Sequence, residues 1–233
     1  MDPGDLVSCK VRVRETDLYI LAPRDLAPAA KGLVLQYRNQ LENYIRHCPL
    51  FKSSLVPLAM DLLAPPVIKE MLSAAKAAKV GPMAAVAGVI AEFVGRDLLT
   101  MSHLDEIMVE NGGYIFLQRR ADCTIAIFAG PSPLSNKVGI KVPAQKMPLG
   151  ICTSSATVGH SLSLGQADAV TVLASSTALA DAAATRIGNE VKEKRPLAEA
   201  LDTACHIPGI KGALIIRGLE IGAWGEIELV DLS

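Results

Sequence analysis

Asp181 and Thr185 are the two residues whose types and spacing point most directly to chemistry. They lie four positions apart in an alanine-rich segment, and on a helix this spacing places both side chains on one face, one turn apart. A carboxylate and a hydroxyl are hard oxygen donors, which suit Mg²⁺ or Ca²⁺ better than zinc. The pair also has a structural interpretation, because an acid in the first turn complements the helix dipole and a threonine can bond back to a carbonyl.

A run of hydroxyl side chains precedes this helix, in the sequence TSSATVGHS over residues 153–161. Clustered hydroxyls and a glycine after a strand can bind phosphate through side-chain and backbone donors. His160 is the residue of this run whose charge changes near neutral pH, so it could act as a general base or contact a phosphate. The alternative is a turn that is rich in Ser and Thr because turns favour them, with a structural histidine. A hydrolase triad of Ser154, His160 and Asp181 is disfavoured because the sequence has no GxSxG motif.

A third candidate is the turn Asn111-Gly112-Gly113, which follows Glu110. Paired glycines let a backbone turn tightly or approach a ligand closely. By itself, this motif is a strong hairpin signal and a weak functional one.

The elements before this turn are predicted to be a hairpin and three helices. Residues 6–22 have a hairpin pattern, and a helix with a regular apolar period then extends to about His47. Arg38 and Glu42 are expected to face water on this helix. A second helix begins at Pro65 and extends to Ala78, and a third extends from Gly81 to about Asp97 and is apolar on nearly every face, which predicts burial all round.

The second half of the chain is predicted to consist mainly of short strands. Apolar runs separated by Gly, Pro, Asn and Ser favour strands at 106–110, 114–118, 123–129, 137–143, 150–155 and 169–174. Helices are expected at about 176–192 and 196–205, followed by two closing strand segments in 212–232. The order lacks a regular β-α alternation, so the fold class predicted is α+β, with short mixed or antiparallel sheets flanked by helices. An alanine-rich helix followed by strands occurs after Gly81 and again after Ser175, which is compatible with two related, intertwined halves.

The composition excludes several classes of protein. The chain has 233 residues, half of them hydrophobic and 20% charged, so it is long and apolar enough to bury a sizeable core. Lys and Arg number 23 against 24 for Asp and Glu, and aromatic residues make up only 4%. Neither figure fits a nucleic-acid binder, which needs a basic footprint or stacking platforms.

The N-terminus and the cysteines indicate a location. The first residues lack the apolar core of a signal peptide, and the longest apolar run, from Val80 to Ala91, is too short to span a bilayer. The five cysteines have no zinc-ligand spacing and are interpreted as mostly buried thiols in a reducing compartment. We therefore expect a cytoplasmic protein with no membrane partner.

These pieces together resemble the ApbE-like flavin transferases, and most closely an uncharacterised cytoplasmic branch of that superfamily. The resemblance covers the chain from about Gly81 to Val191. Its strongest part is AVTVLASSTALADAAAT, over residues 169–185, which is similar to a family strand of the type SVTVLAPS followed by a helix with ADALAT. The resemblance implies one ApbE-like domain over 1–233, with a hairpin and long helix in 1–50 and a flavin- and metal-binding core in 80–233.

The resemblance implies roles for individual residues. Asp181 and Thr185 match the family's ligands of a Mg²⁺ that also touches the phosphates of FAD, and Ala84 is the nearest match to a carbonyl ligand in the family's GGIAKG. The family's NLGGD turn matches Asn111, Gly112 and Gly113 near the flavin. Its TSG and SHI pieces match the hydroxyl run, which implies cofactor contacts from Thr153, Ser154, Ser155, His160 and Ser161.

Some family residues are absent from this chain. The lysine of the family's AKG is Ala85 here, the aspartate of its NLGGD is Tyr114, and its DPxTG after the histidine is replaced by residues 161–165. The metal ligands are thus better matched than the residues that recognise the dinucleotide.

The function that the resemblance implies is cleavage of the FAD pyrophosphate with transfer of FMN to a protein Thr or Ser hydroxyl, or to water. Such chemistry depends on charge neutralisation and positioning, in which His160 or Ser154 would orient the phosphates or the acceptor. The cofactors implied are FAD or FMN and Mg²⁺, and the partners are a flavin nucleotide and an acceptor protein. A non-catalytic flavin- or nucleotide-binding protein on the same fold and an unrelated enzyme that reuses the fold stay open, and so does a homo-oligomer.

Overall fold

A computed structural model describes residues 6–157, 165–192 and 195–233 of the chain. Its longest helix is Ala27–His47, which begins beside Asp25, whose Oδ1 accepts a hydrogen bond from the Ala27 amide at 2.9 Å. The α-helices in the described ranges are α1 (Ala27–His47), α2 (Leu50–Ser53), α3 (Pro66–Ala78), α4 (Val86–Ser102), α5 (Thr177–Glu190) and α6 (Leu197–Cys205). A 3₁₀ turn, Pro82–Ala85, leads directly into α4.

The strands form two antiparallel sheets in the described part of the chain. They are β1 (Val7–Val13), β2 (Thr16–Ala22), β3 (Ile107–Asn111), β4 (Tyr114–Gln118), β5 (Cys123–Ala126), β6 (Val138–Val142), β7 (Leu149–Ser154), β8 (Ala169–Ala174), β9 (Ile210–Arg217), β10 (Glu220–Gly225) and β11 (Glu228–Asp231). The larger sheet has eight strands in the order β1-β2-β3-β4-β7-β8-β9-β10, and the smaller has the order β11-β6-β5.

The eight-stranded sheet is covered on both faces, and strand β4 shows how. Successive side chains of a strand point to opposite faces. Ile115 and Leu117 belong to the core that includes Ile125 and Ile140 of the small sheet. Phe116, between them, packs with the helices instead. The layers are therefore helices, large sheet and small sheet.

Helices α4 and α5 approach each other closely because glycine stands at the contact. A Cβ on Gly88 of α4 would lie 2.4 Å from the Thr177 carbonyl oxygen and 2.8 Å from Asp181 Cβ. A Cβ on Gly150 of β7 would lie 2.4 Å from Thr177 Cα. Only a residue without a side chain fits at either position, so α5 packs closely against both α4 and strand β7.

The α+β class is confirmed, and most elements lie where the sequence predicts them. The hairpin, α1 and α3 match the prediction, with Leu33, Tyr37 and Leu41 on the buried face of α1. Helix α4 extends to Ser102, five residues beyond the predicted end at Asp97. The last predicted strand segment is two strands, β10 in the large sheet and β11 in the small one.

No single helix in the described ranges is long and apolar enough to cross a membrane, although the pair Pro66–Ala78 and Pro82–Ser102, bent by 106°, passes on length and composition alone. The cysteines are less buried than expected. Only Cys152 is fully buried, Cys205 is exposed and the other three are half-buried.

Candidate functional site

A cavity of about 1330 Å³ opens where the β1–β2 turn, α1, the start of α4 and the β3–β4 turn converge with strands β5 and β7. It exceeds the roughly 300–1,000 Å³ of typical small-ligand pockets. Apolar side chains such as Ile115, Ile125 and Phe128 line the cavity together with charged and polar residues. This combination suits a large ligand that has both an apolar ring system and polar substituents.

The β3–β4 turn brings the predicted residues Asn111, Gly112 and Gly113 to this cavity. Gly112 has φ +65° and Gly113 has φ +93°, a conformation that glycine adopts without steric cost. The space beside Gly112 is open, since a Cβ there would meet nothing within 4 Å. The turn therefore exposes its backbone to whatever occupies the cavity.

Asn111 fixes this turn to helix α4. Its side chain is only 9% exposed, and its Nδ2 donates to the Ala87 carbonyl oxygen at 3.1 Å. The Gly113 carbonyl in turn accepts from the Thr153 amide at 3.0 Å. The turn, the first turn of α4 and the end of β7 are thus joined by direct hydrogen bonds.

The end of strand β7 divides the predicted hydroxyl run between two faces. Ile151, Thr153 and Ser155 line the cavity, whereas Cys152 packs on the helix side. Ser154 is 5% exposed and does not line the cavity. The structure thus brings Asn111, Gly112, Gly113, Thr153 and Ser155 together, and it leaves the predicted catalytic Ser154 behind the strand.

Two predicted residues of the hydroxyl run, His160 and Ser161, lie outside the described residues. Their roles in catalysis and cofactor binding stay predictions. The described neighbours before them are held locally, because the Ser155 hydroxyl accepts from the Thr157 amide at 3.0 Å.

Asp181 lies on α5. The first turn of α4 stands between this residue and the cavity. Asp181 is 3% exposed, and its Oδ2 accepts a hydrogen bond from the Gly88 amide at 2.8 Å. Loss of water on burial raises the pKa of the carboxyl well above its ordinary value of 3.8, and the amides of Gly88 and Ala87 oppose this effect. Asp181 is therefore a buried acid stabilised by amide dipoles.

The other two predicted metal ligands lie near Asp181 in the fold. Thr185 is one turn further along α5 and half-buried. Ala84 lies in the 3₁₀ turn, which packs against α5. None of the three ligands lines the cavity, so the predicted metal site is separated from the predicted flavin contacts by the start of α4.

The donor chemistry of this region fits a hard cation. Within the described residues no group of three His, Cys, Asp or Glu side chains is arranged to hold a metal ion, so a site here would use the Asp181 carboxylate, the Thr185 hydroxyl and a backbone carbonyl. These are oxygen donors of the kind Mg²⁺ accepts. Burial disfavours the charge of the Asp181 carboxyl and raises its pKa, and the amides of Gly88 and Ala87 oppose this effect. A bound cation would stabilise the charge further.

Glu92 is a buried acid that the sequence reasoning did not single out. It is 2% exposed, and its Oε2 accepts from the amides of Thr177 at 2.6 Å and Ala178 at 3.3 Å at the start of α5. Its Oε1 lies 2.5 Å from Arg96 Nη2. Burial raises the pKa of Glu92, and the Arg96 guanidinium opposes this. In the sequence, Glu92 could have been recognised as a candidate buried acid because it stands in the apolar run of α4.

The second group of residues that sequence reasoning missed consists of charged side chains in the lining of the cavity. Arg38 was expected to face water, but its side chain is only 16% exposed and contacts Glu15 at 2.6 Å and Glu42 at 3.1 Å. Arg14, in the β1–β2 turn, contacts Glu42 at 2.9 Å. These ion pairs join the hairpin to α1 where both line the cavity.

Comparison with known families finds sequence matches along most of the chain. The sequence profile described as "AbpE bacteria" matches residues 1–210. A UPF0280 protein of Methanocella arvoryzae is 36% identical over 220 residues, covering 94% of this chain and 89% of the relative. A UPF0280 protein of Methanocaldococcus jannaschii is 39% identical over 228 residues, covering 95% of this chain and 92% of the relative.

Comparison with solved structures shows the same fold at low sequence identity. A mutant of the flavin transferase ApbE from Vibrio cholerae matches with a TM-score of 0.61 and 14% identity, covering 95% of this chain and 97% of that one. The apo form of the flavinyl transferase ApbE from Pseudomonas stutzeri matches with a TM-score of 0.59 and 16% identity, covering 94% of each chain.

Proposed function

Since this chain belongs to the family described as AbpE bacteria and has the fold of the ApbE flavin transferases, we propose that it is a Mg²⁺-dependent flavin-handling enzyme. Its substrate would be FAD. The observation that carries the proposal is the cavity of about 1330 Å³. It collects five of the eight residues that the resemblance assigns to flavin binding, namely Asn111, Gly112, Gly113, Thr153 and Ser155.

The proposed reaction breaks the pyrophosphate bridge of FAD. The phosphorus of the FMN half forms a bond to the oxygen of an acceptor Thr or Ser hydroxyl, AMP leaves with the bridging oxygen, and the hydroxyl proton is released. With water as the acceptor the products are FMN and AMP. Bound Mg²⁺ would neutralise phosphate charge in such a reaction.

The chain's own residues would bind and orient the substrate. The backbone of the β3–β4 turn lies open beside Gly112 and would pass close to the ring system or the ribityl chain. Thr153 and Ser155 line the same space, and their hydroxyls would bond polar atoms of the ligand. Asp181, Thr185 and the Ala84 carbonyl would hold the cation.

A non-catalytic flavin- or nucleotide-binding protein is the second candidate, and one specific observation favours it. Asp181 lies behind α4 with its Oδ2 on the Gly88 amide, and none of the proposed metal ligands lines the cavity. A protein that binds the flavin in the cavity without using a metal would need no access to Asp181. The cytoplasmic location and the acceptor protein stay predictions for either candidate.

The experiment that separates the two candidates uses the purified full-length chain with FAD, with and without Mg²⁺. Mass analysis of small molecules would detect FMN and AMP, and fluorescence quenching of FAD would report binding. The enzyme proposal expects metal-dependent release of AMP that Asp181→Asn and Asp181→Ala abolish. A matched control is Asp202→Asn, because Asp202 is a 74% exposed acid on α6.

Each outcome decides between the proposals. FAD that binds but stays intact with Mg²⁺ and candidate acceptors would support the binding protein. FAD that neither binds nor is cleaved would overturn the assignment of the cavity. Cleavage that persists in Asp181→Asn would leave the flavin site standing and remove the metal assignment.

A further inference from the structure

The lining of the cavity comes from both faces of the large sheet. Some of its apolar residues belong to the core on the helix face, among them Leu41, Val86 and Ile90. Others belong to the core against the small sheet, among them Leu21, Met108 and Ile151. Because the β1–β2 and β3–β4 turns line it as well, the cavity passes around the end of the sheet. We call its two parts the helix-side lining and the sheet-side lining.

The helix-side lining has an excess of positive charge. Its cations are Arg38 on α1, Lys52 on α2 and Arg14, which bonds Glu42 of α1 from the β1–β2 turn. Its acids are Glu15 and Glu42. Glu42 accepts from both arginines, and Glu15 contacts Arg38 at 2.6 Å. The two acids are thus shared by the two arginines, and one cation is left over.

Lys52 is the cation that has no acid beside it. Among the residues that the structure describes, it makes no ion pair, and it is exposed. The helix that carries it is held in place by its neighbour Phe51, which is fully buried. An ammonium group offers three donors and a compact charge, and such a group binds phosphate well.

The sheet-side lining carries acid instead of cations. Glu110 is half-buried, and its cross-strand partners are Tyr19 on β2 and Ile115 on β4. Residues that stand opposite each other in a sheet share a face, so the immediate neighbours of Glu110 supply no positive charge. Within the described ranges its carboxylate makes no ion pair and no side-chain hydrogen bond. Asp17, the other acid of this lining, differs because it stands opposite Arg12.

The two linings would therefore attract different parts of one ligand. A carboxylate repels phosphate and accepts hydrogen bonds from O–H and N–H groups. The guanidinium groups of the helix-side lining are preorganised, because Arg38 Nη1 also donates to the Thr16 hydroxyl at 3.0 Å. Arg14 makes its contacts with Glu42 through Nη1, so its other nitrogens can serve an anion.

From this opposition of charge, we infer that the cavity orients its ligand. A phosphate group binds at the helix-side lining, on Lys52 with Arg14 and Arg38 around it. An uncharged group that carries hydrogen-bond donors, such as a hydroxylated sugar chain or a ring N–H, binds Glu110. The inference rests on the proposed function insofar as FAD has both kinds of group, and it deepens that function by assigning the phosphates to the helix side.

The test compares three probes by calorimetric titration of the full-length chain at low ionic strength. FAD carries all the groups, riboflavin is the flavin without phosphate, and ADP carries the pyrophosphate without the flavin. Lys52→Gln is expected to weaken the binding of FAD and ADP by about fivefold to tenfold and to leave riboflavin unchanged. The control is Lys31→Gln, which changes an exposed lysine of α1 outside the lining and should alter none of the affinities.

A second variant, Glu110→Gln, tests the other end of the cavity and keeps the size of the side chain. It is expected to weaken FAD by about twofold to fivefold, because a neutral acceptor forms weaker hydrogen bonds than a carboxylate. Riboflavin weakens equally if the donors belong to the flavin half, and ADP weakens equally if they belong to the adenosine half. Asp202→Asn, at the exposed acid of α6, should change neither.

The failure of this inference differs from the failure of the proposed function. If wild type binds neither FAD nor riboflavin, the flavin proposal is overturned, and ADP alone decides the inference: binding that Lys52→Gln weakens supports it, and absent or unchanged ADP binding overturns it. If FAD does bind, a Lys52→Gln variant that leaves its affinity unchanged, or that weakens riboflavin as much, overturns the phosphate assignment. A Glu110→Gln variant with unchanged affinity for every probe overturns the orientation.

Discussion

The two sides of the first turn of α4 carry the same kinds of polar groups in opposite surroundings. On the cavity side, the Ala87 carbonyl accepts from Asn111, beside the open turn and the hydroxyls of β7. On the buried side, the Gly88 amide donates to Asp181, and Glu92 accepts from the first amides of α5. Two adjacent residues of one helix thus separate a surface that can bind from an interior that holds the fold together.

The chemical type of a side chain therefore does not by itself locate a functional site. An acid on the buried side has lost its water and must be compensated by amides or a cation, whereas an amide or a hydroxyl on the cavity side keeps access to a ligand. Variants on the buried side should therefore change stability first. Variants on the cavity side should change ligand affinity first.

The largest effect is expected from Gly88→Ala on the buried side. The added methyl would lie 2.4 Å from the Thr177 carbonyl oxygen, so α4 and α5 must separate, at a cost of about 1–3 kcal/mol in the free energy of unfolding. Urea unfolding measures this loss.

The matched control is Gly32→Ala in α1, where the new methyl meets nothing within 4 Å. It should stabilise the protein by up to about 1 kcal/mol, since alanine favours the helix. Equal effects of the two substitutions would show that the α4–α5 contact is not tight.

The next largest effect is expected from a variant that breaks the connection between the cavity side and the buried side of α4. Asn111→Ala removes the donor to the Ala87 carbonyl, at a cost of about 1 kcal/mol in stability, and it should weaken FAD binding by about tenfold because the β3–β4 turn loses its attachment to α4. Fluorescence titration and urea unfolding measure the two quantities. Asn39→Ala, at an exposed position of α1, is the control, and an Asn111 variant that changes neither quantity would contradict the role of the turn.

A smaller difference is expected between two adjacent serines at the end of β7, Ser154 in the strand and Ser155 directly after it. Ser155 lines the cavity and Ser154 does not, so Ser155→Ala should weaken FAD binding by about twofold to tenfold, while Ser154→Ala leaves the affinity unchanged. Fluorescence titration of both variants measures this. The reverse order would restore Ser154 as the residue that contacts the ligand.

The smallest effect concerns the pH dependence of stability. Burial raises the pKa of Glu92 above its ordinary value of 4.5, so the folded protein binds this proton more tightly than the unfolded chain. The stability that Glu92 contributes is therefore present below pH 4.5 and is lost as the pH rises through the raised pKa. Glu92→Gln should lack this decline when the free energy of unfolding is measured from pH 4 upwards, and parallel profiles for both proteins would contradict the assignment.

Local sequence patterns predicted the helices and strands well where residues close in sequence determine the secondary structure. The apolar period of α1 depends on Leu33, Tyr37 and Leu41, which all face the core. The end of α4 was predicted too early because Gly95 and Asp97 resemble a helix terminus. In the fold, the Phe116 ring lies where a Cβ of Gly95 would be, at 2.3 Å, so a residue distant in sequence explains this glycine.

The candidate site was predictable only in part, for a related reason. The glycine pair and the hydroxyl run identified the β3–β4 turn and the end of β7 from their own composition. Nothing local indicated that Arg38 would lie beside Glu15, or that Asp181 and the hydroxyls of β7 would lie on opposite sides of α4. These relations are created by the pairing of strands and the packing of helices, which single segments do not encode.

The pairing of β2 with β3 has a consequence for how the protein is made. Leu18 pairs with Asn111, so the cavity needs residues from the first hairpin and from strands that are synthesised much later. Contacts between such distant segments are slow to form because long loops must close first. During synthesis the N-terminal hairpin must wait for β3, β4 and β7 to leave the ribosome, so the nascent chain would acquire a complete ligand pocket only late in its folding.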